Sequence, residues 1–291
     1  MKVNDNTFIR FDWAAKRLLR DKANFEILEG LVSVLIKDGV KIEEILESEG
    51  NQDDEHDKFN RVDIKARNSE GHIIIVEIQL TRQLHFLERM LYGAAKTITE
   101  YISLGDSYDK VRKVYSINIL YCELGSGGDY VYHGVTQFLG IHTGDELMIS
   151  QGQRDAIGMR TAASVFPEYF IIRVNEFNKI PESPLDEWME YLKTGNINED
   201  TKAPGLATAR QQLRVMRMSK DERQAYEAHL DAIATQNDVL AAYREEGREE
   251  GREEGREEAN LQTARNLKAM GVDSSIILKA TGLTPEQLQA L

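Results

Sequence analysis

Asp63, Glu77 and Gln79 are the residues of this sequence whose types and spacing suit metal-assisted chemistry. Two carboxylates that face each other on neighbouring strands repel unless a cation joins them. Mg2+ suits such a pair, because it takes hard oxygen ligands and is commonly held by one or two carboxylates. It also keeps waters that a substrate oxygen can replace. An ion held this way polarises a phosphoryl group and lowers the pKa of a bound water. Gln79, two residues past Glu77, can orient that water through its amide oxygen. The same residues also fit a solvated strand face on which Lys65 pairs with a nearby acid, and spacing alone favours that blander reading.

Convergence of the acids depends on a turn. Arg61–Leu80 reads as a β-hairpin in which Asn68 suits the first position of a type I turn. Gly71 suits the left-handed residue that closes a three-residue loop with a G1 bulge. A loop at 69–71 sets residue 68 across from 72 and, counting outward, Asp63 across from Glu77. Paired residues share a face. Alternation adds Gln79 to that face and turns Ile74, Val76 and Ile78 to the other. A two-residue turn would shift the register by an odd step and split the carboxylates across the sheet.

The wider pattern alternates helix and strand. Apolar positions recur at helical spacing in Phe25, Leu28, Leu31, Val32, Leu35 and Ile36, and Asp38-Gly39 supplies a stop. Strands are expected near 42–48, 58–67, 72–80, 113–123, 130–139 and 169–177, with helices at 84–104 and 185–194. Asn196–Gly205 reads as a polar linker, so residues 1–195 form the expected α/β domain. Residues 206–291 read as helical, with a Glu-Glu-Gly-Arg repeat at 244–258 and a short helix-turn-helix-like tail at 259–291. Each repeat glycine costs a helix about 1 kcal/mol against alanine, so the segment reads as a solvated spacer helix. A close-packed helix pair along its glycines, and with it a homo-oligomer, is the alternative.

The chain has 291 residues and a net charge of −13, of which residues 43–57 hold −8 and residues 244–258 hold −4. The remainder is close to neutral, so the total does not exclude a nucleic-acid partner. The single cysteine, Cys122, excludes an internal disulfide framework and suits a reducing cytoplasm. No apolar run approaches the length of a membrane span or a signal h-region, so a soluble, cytoplasmic protein with no membrane partner is expected. The six histidines show no ligand spacing.

An ordered set of segments resembles the PD-(D/E)XK nuclease superfamily, and within it the Rpn-type recombination-promoting nucleases or putative transposases. It comprises Asn24–Leu31, Val62–Ala66, Val76–Gln79, Glu88–Tyr92, Tyr115–Leu120, Asp186–Trp188, the Glu-Gly-Arg repeat and Thr281–Glu286. The resemblance implies a restriction-endonuclease-like α/β core with a mixed central sheet flanked by helices, plus the helical C-terminal region. It implies Mg2+-dependent endonucleolytic cleavage of DNA linked to recombination or mobile elements, with Mn2+ or Ca2+ as other candidate ions. Asp63, Glu77 and the Ile78 carbonyl stand at the metal-ligand positions, and Gln79 stands where the usual lysine would be. Val62 replaces the proline of the motif name. Glu29 lies in the first-helix segment that often adds a carboxylate, with Glu26 one turn earlier. Arg89 and Tyr92 are candidates for phosphate contact, against a surface ion pair and a core tyrosine. The rivals are a catalytically weak or inactive binding module of the same fold and a structural oligomer. For the tail, interaction is favoured over base reading because it has few basic residues.

Overall fold

The computed structural model describes Phe11, Trp13 and residues 25–46, 63–150, 152, 164–213 and 218–291. The start of the expected 58–67 strand (58–62, with Val62), Asn24 and the acidic run beyond residue 46 lie outside the described residues. Helix α1 (Phe25–Ile36) leads into β1 (Ile42–Leu46), β2 (Ile64–Asn68) and β3 (Ile73–Gln79). Helix α2 (Phe86–Thr99) connects to β4 (Val114–Leu120), followed by β5 (Val131–Gly134), β6 (Glu168–Arg173) and helix α3 (Pro184–Thr194). The strands form one six-stranded sheet in the order β1-β2-β3-β4-β6-β5. The β3–β4 and β4–β6 pairs are parallel, and the other three are antiparallel. This mixed sheet with flanking helices is the α/β class that the sequence pattern implies.

All seven residues of β3 are buried, as the β-branched run Ile73–Val76 requires of a strand covered on both faces. On the face that carries residues 73, 75 and 77, Ala94 and Ile98 of α2 pack against Ile73, Ile75 and Val114. Strand β5 is shorter than the expected 130–139 because it lies at the sheet edge and stops at Gly134. Helix α1 ends at Ile36, before the Asp38-Gly39 stop, and Lys37 takes the left-handed conformation with φ 61°. Lysine pays a steric cost there that glycine does not.

The compact unit extends through Tyr226, and a second unit covers residues 227–291. Residues 196–205 are therefore not a free linker: Ile197, Ala203 and Leu206 are buried. The Pro204 carbonyl accepts from Trp188 Nε1 at 3.0 Å. Helix α4 (Leu206–Gln212) buries Leu206 and Ala209, and α1 contacts both α3 and α4. Part of the packing is made by backbone, which leaves no apolar signal in the sequence. A Cβ on Gly30 would lie 2.1 Å from the Pro204 carbonyl oxygen.

Residues 220–269 form one helix, α5 (Lys220–Ala269), about 75 Å long at the usual rise. The repeat 244–258 is exposed along its length, and a Cβ added at Gly247, Gly251 or Gly255 would meet open space. Among its described pairs, Arg248 approaches Glu245 at 4.0 Å. Helices α6 (Ser274–Thr281) and α7 (Pro285–Gln289) follow. Ala264, Ile277 and Leu288 form a small core joining the end of α5 to them. Thr284 and Gln287 form a capping box at the start of α7, with Pro285 in the first turn.

At the start of α3, Asp186 is buried and accepts from the Ser183 hydroxyl at 2.8 Å, the Glu182 and Ser183 N–H groups, and the Tyr130 hydroxyl. Lys179 approaches it at 3.1 Å. Burial alone would raise this carboxyl, but the hydrogen bonds from Tyr130, Ser183, Lys179 and Glu182 outweigh it and bring the pKa down to about 2. The unfolded value is near ~4. The carboxylate's contribution is thus full above that value and lost as pH falls toward the folded one. Asp186→Ala is expected to lose roughly 2 kcal/mol at neutral pH. Urea unfolding of the two proteins should show the gap closing as the pH is lowered toward 2. Gly30→Ala should cost roughly 2 kcal/mol or more through the forced shift against Pro204. The same denaturation experiment reads it.

Candidate functional site

The hairpin turn forms as its residues dictate. Gly71 has φ 78°, its N–H donates to the Asn68 carbonyl at 2.9 Å, and the Asn68 N–H donates to His72. The Asn68 side-chain oxygen accepts from the Glu70 and His72 N–H groups at 3.1 and 2.8 Å. Four pairs of β2 and β3 follow in step, from Arg67 with Ile73 to Ile64 with Val76. One further step brings Asp63 across from Glu77.

At that end of the sheet Asp63 Oδ2 accepts from the Ile78 N–H at 2.7 Å. A strand residue's N–H and C=O point toward the same neighbour, so the Ile78 carbonyl also faces the β2 side, where Asp63 sits. The next carbonyl, that of Gln79, turns the other way and accepts from the Tyr121 N–H at 2.9 Å. Glu77 shares its face with Gln79, and both are buried. Gln79 Nε2 donates to the Thr81 carbonyl at 2.6 Å and reaches the Thr81 hydroxyl at 3.3 Å. That leaves Oε1 as the end of the amide free to act; no donor among the described residues reaches it.

Glu77 is a buried acid with a cation beside it. Arg89, in the first turn of α2, brings Nη2 to 2.5 Å from Glu77 Oε1. Its other terminal nitrogen donates to Gln83 Oε1 at 2.9 Å. The approach to Glu77 is a charge contact rather than an aligned hydrogen bond, and buried Oε1 has no hydrogen-bond donor. Burial raises the Glu77 carboxyl, the Arg89 guanidinium opposes that rise, and the Asp63 charge adds to it. No group of three or more His, Cys, Asp or Glu residues able to hold a metal ion occurs among the described residues. A cation here would rest on two carboxylates completed by the Ile78 carbonyl and waters, which is within the habits of Mg2+. The under-bonded Glu77 oxygen fits such an ion.

Glu29 does not join this group. Its Oε1 accepts from the Ile42 N–H at 2.8 Å and its Oε2 pairs with Lys41 Nζ at 2.9 Å. Ile42 pairs with Asn68, five residues along the strand from Asp63, or roughly 16 Å. Glu29 instead fixes the chain entering β1. Glu26 is likewise taken up, accepting from the Thr208 hydroxyl at 2.8 Å. Lys65 pairs with Glu100 near Tyr101, as the blander reading expected, but it is buried rather than on a solvated face. Tyr92 is half-buried on α2, one turn beyond Arg89. The free thiol of Cys122 is half-buried, and burial raises its pKa, which suits an unreactive packing role.

One polar neighbour escaped the sequence reading. Asn118 of β4 stands beside Glu77 in the parallel register and is buried. Its Nδ2 lies within 3.0 to 3.3 Å of the Ser116 hydroxyl and the Ser116 and Phe170 carbonyls. The signal was an asparagine inside the apolar strand Val114–Leu120. Only the strand order reveals which residue it flanks.

A mixed sheet whose central hairpin carries one acid just before β2 and another within β3, at the open end of that hairpin, has the α/β form of a PD-(D/E)XK nuclease core. The family model described as "PD-(D/E)XK nuclease family transposase" matches residues 9–152, so this part of the chain, which carries the hairpin and its acids, is a domain of that nuclease family. No curated protein and no solved structure matches the chain. No described helix is long and apolar enough to cross a membrane.

Because the Asp63 charge raises the Glu77 carboxyl, Asp63→Asn is expected to lower the Glu77 pKa in the metal-free protein. Following the Glu77 side-chain carbonyl carbon by NMR across pH measures this. An unchanged midpoint would mean that the two acids do not share a field.

Proposed function

We propose that the chain is a metal-dependent DNA endonuclease, with Asp63, Glu77 and the Ile78 carbonyl as metal ligands and Gln79 orienting the attacking water. The observation that carries this reading is the buried Glu77 carboxylate, set across from Asp63 with an oxygen that receives no hydrogen bond. Mg2+ is the natural ion for these oxygen donors, with Mn2+ or Ca2+ as alternatives. When bound, such an ion supplies Lewis-acid polarisation of the phosphoryl group and a more acidic water.

The protein's own residues do the rest. Asp63 is held to β3 by the Ile78 N–H, so both carboxylates keep their spacing while a phosphodiester docks. The Gln79 amide oxygen can accept from a water and aim it at phosphorus, with Nε2 anchored on Thr81. In the hydrolysis the water oxygen forms a bond to phosphorus, one bridging P–O bond breaks, and the departing alkoxide gains a proton. Gln79 has no charge to offer the developing phosphorane, so turnover is slower than a lysine at that position would permit. Arg89, whose guanidinium lies against Glu77, is the better candidate for phosphate contact; Tyr92 is a weaker one.

The neutral Gln79 also favours a second reading, a catalytically weak or inactive module that binds nucleic acid or a protein. The family description supports a recombination or mobile-element role, in keeping with the Rpn-type resemblance. The exposed helix around 244–258 is the surface proposed for self-association, and the single free cysteine suits a reducing cytoplasm.

Supercoiled-plasmid nicking by wild type and Glu77→Ala, compared in Mg2+, Mn2+, Ca2+ and EDTA, tests the enzyme reading. Wild type is expected to nick with Mg2+ or Mn2+ and to stop in EDTA. Glu77→Ala and Asp63→Ala are expected to lose roughly a hundredfold or more. DNA retention without nicking in any metal would favour the binding module.

A further inference from the structure

We propose that Arg89 is a tethered counter-cation of Glu77 that must leave its place when a divalent metal binds, and that its release couples metal binding to phosphate recognition. This rests on the metal-site reading above. Glu77 and Arg89 have 8% and 33% side-chain exposure, and no other cation pairs with Glu77 among the described residues. The guanidinium therefore holds the position beside the carboxylate that a metal would need. Two cations cannot both lie that close to one buried oxygen without strong repulsion. Burial makes an unpartnered carboxylate costly, and in the metal-free protein Arg89 is the cation set against Glu77.

The placement of Arg89 makes this exchange feasible. It sits in the first turn of α2, after the segment 80–85, and its second terminal nitrogen is held by Gln83, an exposed side chain. Releasing the guanidinium thus requires rotation of one long side chain and no rearrangement of the sheet. Once displaced it remains on the same helix turn, a few ångströms from the ligands, with a planar fork suited to a phosphate. The positive charge absent from Gln79 would then come from a neighbouring element. Metal binding and phosphate binding become linked, because the charge that blocks one assists the other.

Mn2+ titration of wild type, Arg89→Gln, Arg89→Lys and Glu77→Gln by calorimetry, with thermal unfolding in EDTA and in Mn2+, tests this without relying on turnover. Arg89→Gln is expected to bind Mn2+ about tenfold more tightly than wild type, as for removal of a nearby like charge. It should also melt at a lower temperature in EDTA and gain more from Mn2+ than wild type does. Arg89→Lys should fall between them, and plasmid nicking by Arg89→Gln should drop despite its tighter metal binding. Circular dichroism establishes that each variant is folded. Equal or weaker Mn2+ binding by folded Arg89→Gln, with binding abolished in Glu77→Gln, overturns the counter-cation role and leaves the metal site standing. Binding unaffected by Glu77→Gln, or absent from wild type and Arg89→Gln alike, overturns both. If Arg89→Gln does not fold, weaker Mn2+ binding by Arg89→Lys than by wild type overturns the proposal.

Discussion

A carboxylate buried at Glu77 requires a cation, and much of the surrounding structure serves that requirement. Isolated in an apolar sheet, the group would protonate or unfold its surroundings. Arg89 meets the need in the metal-free protein. Asp63 sharpens it by placing a second negative charge in the same field. The combination is unstable by design principles for a core, since an apolar pair of similar volume would cost less. On the proposed metal-site reading, it is a site kept ready for a more highly charged ion.

That readiness depends on rigid surroundings. The asparagine-bridged turn fixes the β2–β3 register, and a slip of one residue would send Asp63 and Glu77 to opposite faces. Strand β4 runs parallel beside β3 and sets Asn118 next to Glu77, with its amide spent on Ser116 and Phe170 rather than on the carboxylate. Helix α2 crosses between these strands in sequence. Its apolar side packs on Ile73, Ile75 and Val114 while its first turn delivers Arg89. The same helix therefore covers the core and supplies the charge.

Elsewhere, charged groups do structural work that resembles site chemistry only in composition. Glu29 ties α1 to β1, and Asp186 caps α3 while joining Tyr130 and Lys179 to it. Both are buried acids within helical segments, and residue type alone does not separate them from Glu77. The difference lies in partners. Glu29 and Asp186 accept hydrogen bonds from backbone N–H groups and neighbouring side chains, whereas Oε1 of Glu77 faces a guanidinium without an aligned hydrogen bond.

The sequence by itself determined the hairpin and its register, because Asn68 and Gly71 permit one turn geometry and side-chain alternation does the rest. It determined the strand-and-helix order and the pairing of Asp63, Glu77 and Gln79 on one face for the same reason: these depend on interactions a few residues apart. Tertiary structure alone decided what partners those residues have. Arg89 reaches Glu77 from twelve residues away through a helix crossing, Asn118 arrives by parallel pairing, and Glu29 is withdrawn by a backbone N–H thirteen residues on. It also decided that residues 196–205 are packed rather than free. Part of that packing is a backbone approach of Pro204 to Gly30, which carries no hydrophobic signal. Local chemistry is written in neighbours along the chain, whereas the charge balance of a site depends on which distant elements the sheet order brings beside it.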